Sequence, residues 1–340
     1  MRKLASIQKI LEIRPIPEAD KIVVVKILGW ECVALKTEFS IGDKCVFFEI
    51  DSIVPVMPWS SHLCKDGKPL RVRSIRLKKQ LSQGLALPMS LLPVGNYEVG
   101  QDVTLETGVI KYEPYIPAEL HGKVKGTRPS WIPKTDEPRL QSAPDALDEI
   151  KKMGQVVGTV KMDGSSITCF IKDNVFGVTS RNMELIETED NAYWKAVREA
   201  KVEEAMRKFF PCGLGGGDYA IQGELCCPGI QGNRMGFDKL TLCWYNVFHI
   251  NTGTYMSHKI LNDFTLSTGL QMVQVVFIGK LSTETTLKNL LEMANNLNYN
   301  NGLPAEGIVW RPVEEMRSEV LKTRMSFKTI SNRYLETYKE

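Results

Sequence analysis

Between Lys3 and about Lys111 the apolar residues fall in short runs cut by turn formers: KIVVVKIL, ECVALKTEF, IGDKCVFFEI, LRVRSIRL and GLALPM. Runs of this length, rich in β-branched residues and closely spaced, predict strands with little helix. Gly42-Asp43 and Gly100-Gln101-Asp102 predict turns that feed the strands CVFFEI and VTLET. From Tyr112 to Pro138 prolines recur at 114, 117, 129, 133 and 138 with little apolar periodicity, which predicts an interdomain connection. Beyond it PDALDEIKKMG has helical spacing, with Leu147 and Ile150 on one face and Gly154 at its end. QVVGTVKMDG, ITCFIK, VFGVTS, YAIQGEL and LTLCWYNVFHI then predict strands. Two helical stretches interrupt them: about Asn191 to Phe210, with Asn191 as cap, and about Thr286 to Leu297.

This rhythm predicts an α+β chain without internal repeats. Its N-terminal part fits a five-stranded OB-type β-barrel over 1–111, followed by a linker at 112–133 and an antiparallel-sheet-rich domain over 134–340. Composition changes that picture little. At 340 residues, 43% hydrophobic and 24% charged, the chain has the make-up of a two-domain globular protein, and its net charge of +3 does not select a partner. The eight cysteines contain no C-x-x-C pair and only four histidines occur, so zinc spacing is absent and the cysteines read as reduced thiols. No apolar stretch approaches membrane-span length and the N-terminus lacks a cleavable-signal pattern, so the expectation is a soluble, intracellular protein.

Candidate chemistry centres on Lys161-Met162-Asp163-Gly164 at the end of the strand-like run QVVGTV. A K-x-D-G tetrapeptide is too short to carry a function by itself, since an ordinary turn closed by glycine has the same form. Ordered companions follow: Ser180-Arg181-Asn182, Gln222-Gly223-Glu224-Leu225, Gly229-Ile230-Gln231-Gly232-Asn233, Trp244-Tyr245-Asn246-Val247-Phe248, Glu306-Gly307-Ile308-Val309 and Ser326-Phe327-Lys328. A lysine amine is mostly protonated at neutral pH, so a nucleophilic role requires neighbours that expose its lone pair. Gly164 keeps the backbone slim beside a nucleotide, and Asp163 offers an oxygen to a ribose or a metal-bound water. Glu224 and Glu306, at the ends of strand-like runs, suit a hydrated Mg²⁺ or Mn²⁺ against a phosphate.

From about Lys134 to Tyr334 these segments resemble the motifs of the covalent nucleotidyltransferases, the ATP-dependent ligases and mRNA capping enzymes, whose catalytic domain is ATP-grasp-like. The resemblance implies that Lys161 forms a phosphoramidate with AMP and expels pyrophosphate, with Asp163 and Lys328 as further catalytic residues. It assigns nucleotide contacts to Arg181, Glu224, Phe248, Val309 and Lys328, and metal contacts to Asp163, Glu224 and Glu306. Phe248 takes the adenine-stacking position and Val309 the other face. On a regular strand Trp244 and Phe248 share one face, which is equally a core-packing pattern. Many relatives have two lysines separated by one residue; here Ser326 or Ile330, depending on the alignment, occupies the place flanking Lys328, and Lys322 and Arg324 are the candidates for the missing lysine. Lys134 to Arg139 resembles a segment of one RNA ligase group, which implies a contact of Arg139 with the β,γ-phosphates.

Only 12 residues follow Lys328, so the expected OB module is N-terminal, as in the RNA ligases with a minimal nucleotidyltransferase domain. Pro17 to Ile22 and Ser82 to Leu85 resemble signatures of OB modules that bind tRNA-like structures. The stretch 68–79, KPLRVRSIRLKK, has six basic and no acidic residues, so Arg71, Arg73, Arg76, Lys78 and Lys79 are the expected contacts to an RNA backbone. The implied function is ATP-dependent joining of RNA ends bearing 3′-hydroxyl and 5′-phosphate through a lysyl-AMP intermediate. A capping-type guanylyltransferase and a catalytically silent RNA-binding protein are the alternatives. The missing C-terminal barrel opposes the first, and retention of Lys161, Asp163, Glu224, Glu306 and Lys328 the second.

Overall fold

Alternation explains why CVFF can be apolar without interruption. In the strand Lys44–Phe48, Val46 and Phe48 enter one hydrophobic cluster with Ile7 and Leu87, while Cys45 and Phe47 enter another with Val25, Ile27 and Trp30. A strand buried on both faces has no polar side to show. The computed structural model describes residues 3–78, 80–112, 124–210 and 217–338. Its contacts divide the chain into two compact units, Met1–Tyr115 with Leu140–Pro144 and Leu335–Glu340, and Ile116–Arg139 with Asp145–Tyr334.

The first unit is built of short antiparallel strands. Lys44–Phe48 lies between Ala5–Lys9 and Leu85–Pro88, Ala19–Ile27 between Glu12–Ile16 and Trp30–Leu35, and Ser52–Val54 between Leu70–Arg71 and Ile110–Lys111. A hairpin pairs Ser74–Leu77 with Gln80–Gln83. Gly84, at φ 112°, lies so close to the Phe47 ring that a β-carbon would stand 2.5 Å from it. The segment VTLET is not a strand. Thr104–Thr107 is a single helical turn, started by the Asp102 carboxylate, which accepts from the Thr104 N–H at 3.0 Å, and stopped by Gly108 in the left-handed region.

The second unit pairs a seven-stranded with a four-stranded antiparallel sheet. The larger runs in the order Val124–Thr127, Met183–Leu185, Val175–Thr179, Ser165–Lys172, Tyr219–Cys226, Thr241–His249, Thr254–Tyr255. The smaller runs Val275–Gly279, Val156–Lys161, Gly307–Pro312, Phe327–Ile330. Thus the stretch read as a linker supplies an edge strand at 124–127; its residues 113–123 lie outside the described residues. One face of the larger sheet, with Ile167, Cys169, Ile221, Leu225 and Trp244, packs on helices through Trp194, Val197, Met206, Leu261 and Phe264.

The expected long helix is two, Ala192–Glu199 and Val202–Phe209, because Lys201 adopts φ 52° between them. Asn191 caps the first as expected, accepting from the Tyr193 and Trp194 N–H groups. A third helix on this face, His258–Thr268, was not expected from the pattern, although Leu261, Phe264 and Thr265 form its buried stripe and Gly269 ends it. Leu287–Asn296 starts with a capping box between Thr286 and Asn289.

Candidate active site

The lysine strand Val156–Lys161 is the second of the four in the smaller sheet, and its register fixes which side chains share a face. Thr159 is opposite Val309, which is opposite Lys328, and Val157 is opposite Arg311. Thr159, Lys161, Val309, Arg311 and Lys328 therefore project to one side. On the larger sheet Ser166 is opposite Glu224. Together with Tyr245, Arg181 and Thr135 to Glu137, these residues line one cleft.

Lys161 Nζ donates to Glu306 Oε2 at 2.7 Å. Burial lowers its pKa, but Glu306, Glu224 and Asp163 outweigh burial and hold the ammonium above its ordinary value. Glu306 is delivered by backbone as well as sequence: Tyr299 Oη accepts from its N–H and donates to the Lys161 carbonyl, both at 3.1 Å. Glu224 is pushed up to about 8, by burial first and then by Glu306, against the attraction of Lys161. Its Oε2 is buried without a hydrogen-bond partner, an acceptor kept for something other than this chain.

Asp163 is held by two donors from within the chain. Its Oδ2 accepts from Tyr334 Oη at 2.6 Å and from Arg234 Nη1 at 3.1 Å, and it does not line the cleft. Burial, then Glu306, raises its pKa to about 6 even with those two donors. Gly164 is required by the neighbouring strand: a β-carbon would meet the Leu225 carbonyl oxygen at 2.7 Å and Cys226 Sγ at 2.9 Å. Among the described residues no three His, Cys, Asp or Glu side chains gather as a metal-binding group. Of the expected trio, Glu306 is ion-paired with Lys161, Glu224 lines the cleft, and Asp163 is engaged by Tyr334 and Arg234.

The expected aromatic is also displaced. The pairing of Tyr219–Cys226 with Thr241–His249 slips between Gln222 and Gly223, so Gln222 faces Asn246, Gly223 faces Trp244, and Tyr245 is the extra residue of a bulge. Parity flips there. Trp244 and Val247 face the helices, whereas Tyr245, Asn246 and Phe248 face the other way. Trp244 and Phe248 are on opposite faces, and Phe248 is packed with Ile132, Phe170 and Ala220 rather than lining the cleft. Tyr245 lines it instead, its hydroxyl 3.1 Å from Thr135 Oγ1.

Arg181 stands at the cleft with one nitrogen 2.7 and 2.8 Å from the two oxygens of Asp136. Arg139 is drawn alongside Lys328 by a parallel backbone bridge, and the Lys328 N–H donates to the Pro138 carbonyl at 2.9 Å. Arg139 does not line the cleft. One cation there escaped the sequence reading. Arg311, buried, donates from Nε to Ser326 Oγ at 3.1 Å, from Nη1 to the Tyr245 carbonyl at 3.3 Å and from Nη2 to Glu137 Oε1 at 2.9 Å. Its signal was the strand spacing from Glu306, which puts Val309 and Arg311 on one face. Neither Lys322 nor Arg324 lines the cleft; Arg324 is bound to Glu315 and lies over the Tyr255 ring.

In the first unit Arg71 is paired with Asp51 at 2.8 Å and lies over the Tyr112 ring, and Arg76 is ion-paired with Glu336. Arg73 and Lys78 are exposed on and beside the hairpin, and Lys79 lies outside the described residues. Seven cysteines are free thiols and six of them are buried; Cys212 lies outside the described residues.

A cleft that presents one ion-paired lysine between two antiparallel sheets, with an aromatic, an aliphatic and several cations around it, defines a nucleotidyltransferase domain. Two family models match the chain: one described as an OB-fold domain over residues 4–89, and one described as RNA ligase over residues 154–330. Among solved structures the chain is similar to Naegleria gruberi RNA ligase with pyrophosphate, at 33% identity and TM-score 0.87 over 100% of this chain and 99% of that one. A mutant of that ligase with AMP and manganese gives 33% identity and TM-score 0.88, and another with ATP and manganese 33% and 0.87, each over 99% of both chains. A search of curated protein sequences found no match. The chain belongs to the RNA ligase family.

Proposed function

We propose that this protein is an ATP-dependent RNA ligase that works in three steps, two transfers of AMP and a sealing step that releases it. Lys161 attacks the α-phosphate of ATP and pyrophosphate leaves. The 5′-phosphate of an RNA end then takes AMP from the lysine, forming a 5′,5′-pyrophosphate bond. A 3′-hydroxyl finally attacks the RNA phosphate and AMP departs. The observation that carries this reading is Lys161 Nζ at 2.7 Å from Glu306 within a cleft lined by Tyr245, Val309, Arg181, Arg311 and Lys328.

Each group has a task set by its chemistry. The Lys161–Glu306 pair keeps the amine oriented but protonated, so a proton must leave before the lone pair can attack. Tyr245 and Val309 cover the two faces of adenine. Lys328, Arg181 and Arg311 balance the phosphates, with Arg139 near the leaving pyrophosphate. Asp163, fixed by Tyr334 and Arg234, acts by positioning the motif. Glu224, with its unpartnered buried oxygen, and Glu306 supply the hard oxygen donors that suit Mg²⁺ or Mn²⁺. Such an ion, when bound, withdraws charge from the α-phosphate and offsets the carboxylates that hold Lys161 protonated. Arg73 and Lys78 of the OB domain, with Arg71, Arg76 and Lys79, are the proposed contacts to the RNA backbone.

Incubation with α-labelled ATP and Mg²⁺ or Mn²⁺, followed by a chase with 5′-phosphorylated RNA, tests the scheme. The label should form an acid-labile adduct, move to RNA, and be released as AMP on sealing. Label retained from GTP alone, or an adduct undiminished in Lys161→Ala, would overturn it.

A further inference from the structure

The lysine strand is a wall with two sides. While Thr159 and Lys161 line the nucleotide cleft alone, Val160 and Met162 line that cleft and also a second one of about 210 Å³, on which the scheme above makes no demand. Tyr299 is part of this cleft, and its hydroxyl is the one that bonds to the Lys161 carbonyl and the Glu306 N–H. The two cavities therefore share a strand and a hydrogen-bonded support.

The lining has a distinct chemistry. Met162, Met235, Met272 and Phe237 give polarisable, mostly apolar walls, while Gln271, Gln274 and Asn300 add neutral amides. No described residue lining it is charged, which leaves phosphate and metal ions without a counter-charge there. Thioether and aromatic walls suit a flat heteroaromatic ring, and amides can both donate to and accept from its edge. RNA supplies such rings wherever bases are unstacked, most readily in single strands and at ends.

We propose that the second cleft receives one unpaired RNA base next to the end being joined, and so places that end at Lys161. This rests on the RNA ligase reading and adds a base-binding subsite to it. The base leaves its neighbours, stacks against the methionines and Phe237, and presents its edge to the amides.

The test uses full-length protein charged with AMP and 5′-phosphorylated RNAs carrying 2-aminopurine at successive positions near the end. Binding should brighten the probe at one position as it unstacks. Met272→Trp, which fills the cleft, should abolish that signal and raise the KM for RNA by about tenfold, the size of one lost base stack. Adduct formation from ATP should be unchanged. Gln274→Ala, on the exposed rim, should raise the RNA KM without a change in thermal stability, so a folding defect in the tryptophan variant would not decide the matter. No brightening at any position, or an unchanged RNA KM in both variants, overturns the subsite. Failure of the ligase reading shows separately, as wild-type AMP that passes to no RNA end, and would remove the subsite with it.

Discussion

At the scale of single residues, Tyr245 and Phe248 occupy different surroundings. Tyr245 lines the nucleotide cleft and Phe248 fills a cluster with Phe170 and Ile132. Tyr245→Ala should raise the KM for ATP by about tenfold, one aromatic–base stack, with a smaller effect on stability. Phe248→Leu should cost on the order of 1 kcal/mol of stability and leave that KM unchanged. Steady-state adduct kinetics and thermal melts check the pair, and the opposite pattern would return the stacking role to Phe248. Lys161, Glu224 and Glu306 were legible in the sequence because strand-end motifs carry their chemistry locally. Tyr245 was not, because its direction depends on a one-residue bulge, and a bulge is set by the partner strand rather than by WYNVF itself. Arg311 was hidden for a related reason: only the pairing of Val157 with Arg311 and Val309 with Lys328 shows that three strands converge there.

At the scale of elements, the strand Gly307–Pro312 depends on its first residue. A β-carbon at position 307 would stand 2.1 Å from the Thr329 carbonyl oxygen, so backbone must move to admit it. Gly307→Ala should therefore destabilise by on the order of 2–3 kcal/mol and impair adduct formation, since Glu306 and Lys161 flank that contact. A melt identical to wild type would show that the strands can separate without cost. Joining the same sheet to the segment before it, Glu137 is buried against Arg311 and Arg324. Burial pushes its carboxyl up, but the two guanidiniums outweigh burial and hold it at about 2 against an ordinary 4.5. A carboxyl depressed on folding contributes stability that is complete above about pH 4.5 and disappears as pH falls through about 2. Glu137→Gln should thus be less stable near neutral pH by about 3 kcal/mol, because Arg311 loses a buried partner. The gap should close on acidification over that window. A gap independent of pH would mean that the charge is not what holds the segment. Most strands in this domain were legible from apolar runs. The helix His258–Thr268 was missed although its stripe and terminal Gly269 were there to read, and the break at Lys201 because no glycine or proline marks it.

At the scale of the whole molecule, the chemistry and the charge lie in different parts of the chain. Every described side chain lining the nucleotide cleft belongs to the second compact unit, whereas the basic stretch 68–79 belongs to the first. The order of domains was legible because short strand rhythm and proline spacing change along the chain. The exchange of segments was not: Leu140–Pro144, beyond the expected linker, packs with the first unit through the Gln141 carbonyl on Gly29 N–H and Ser142 on Trp30. Composition also overstated the free charge of the basic stretch. Arg71 and Arg76 are neutralised by Asp51 and Glu336, so Lys68, Arg73 and Lys78 are the described members best placed to meet phosphate. If the OB domain contributes to RNA capture through these charges, Arg73→Glu with Lys78→Glu should leave lysyl-AMP formation intact, weaken RNA binding, and lower the slope of log affinity against log salt by about 2. Adduct labelling and RNA binding across a salt series measure the two effects separately. An unchanged slope would assign RNA capture to other surfaces, and a loss of adduct would mean that nucleotide transfer itself requires these charges.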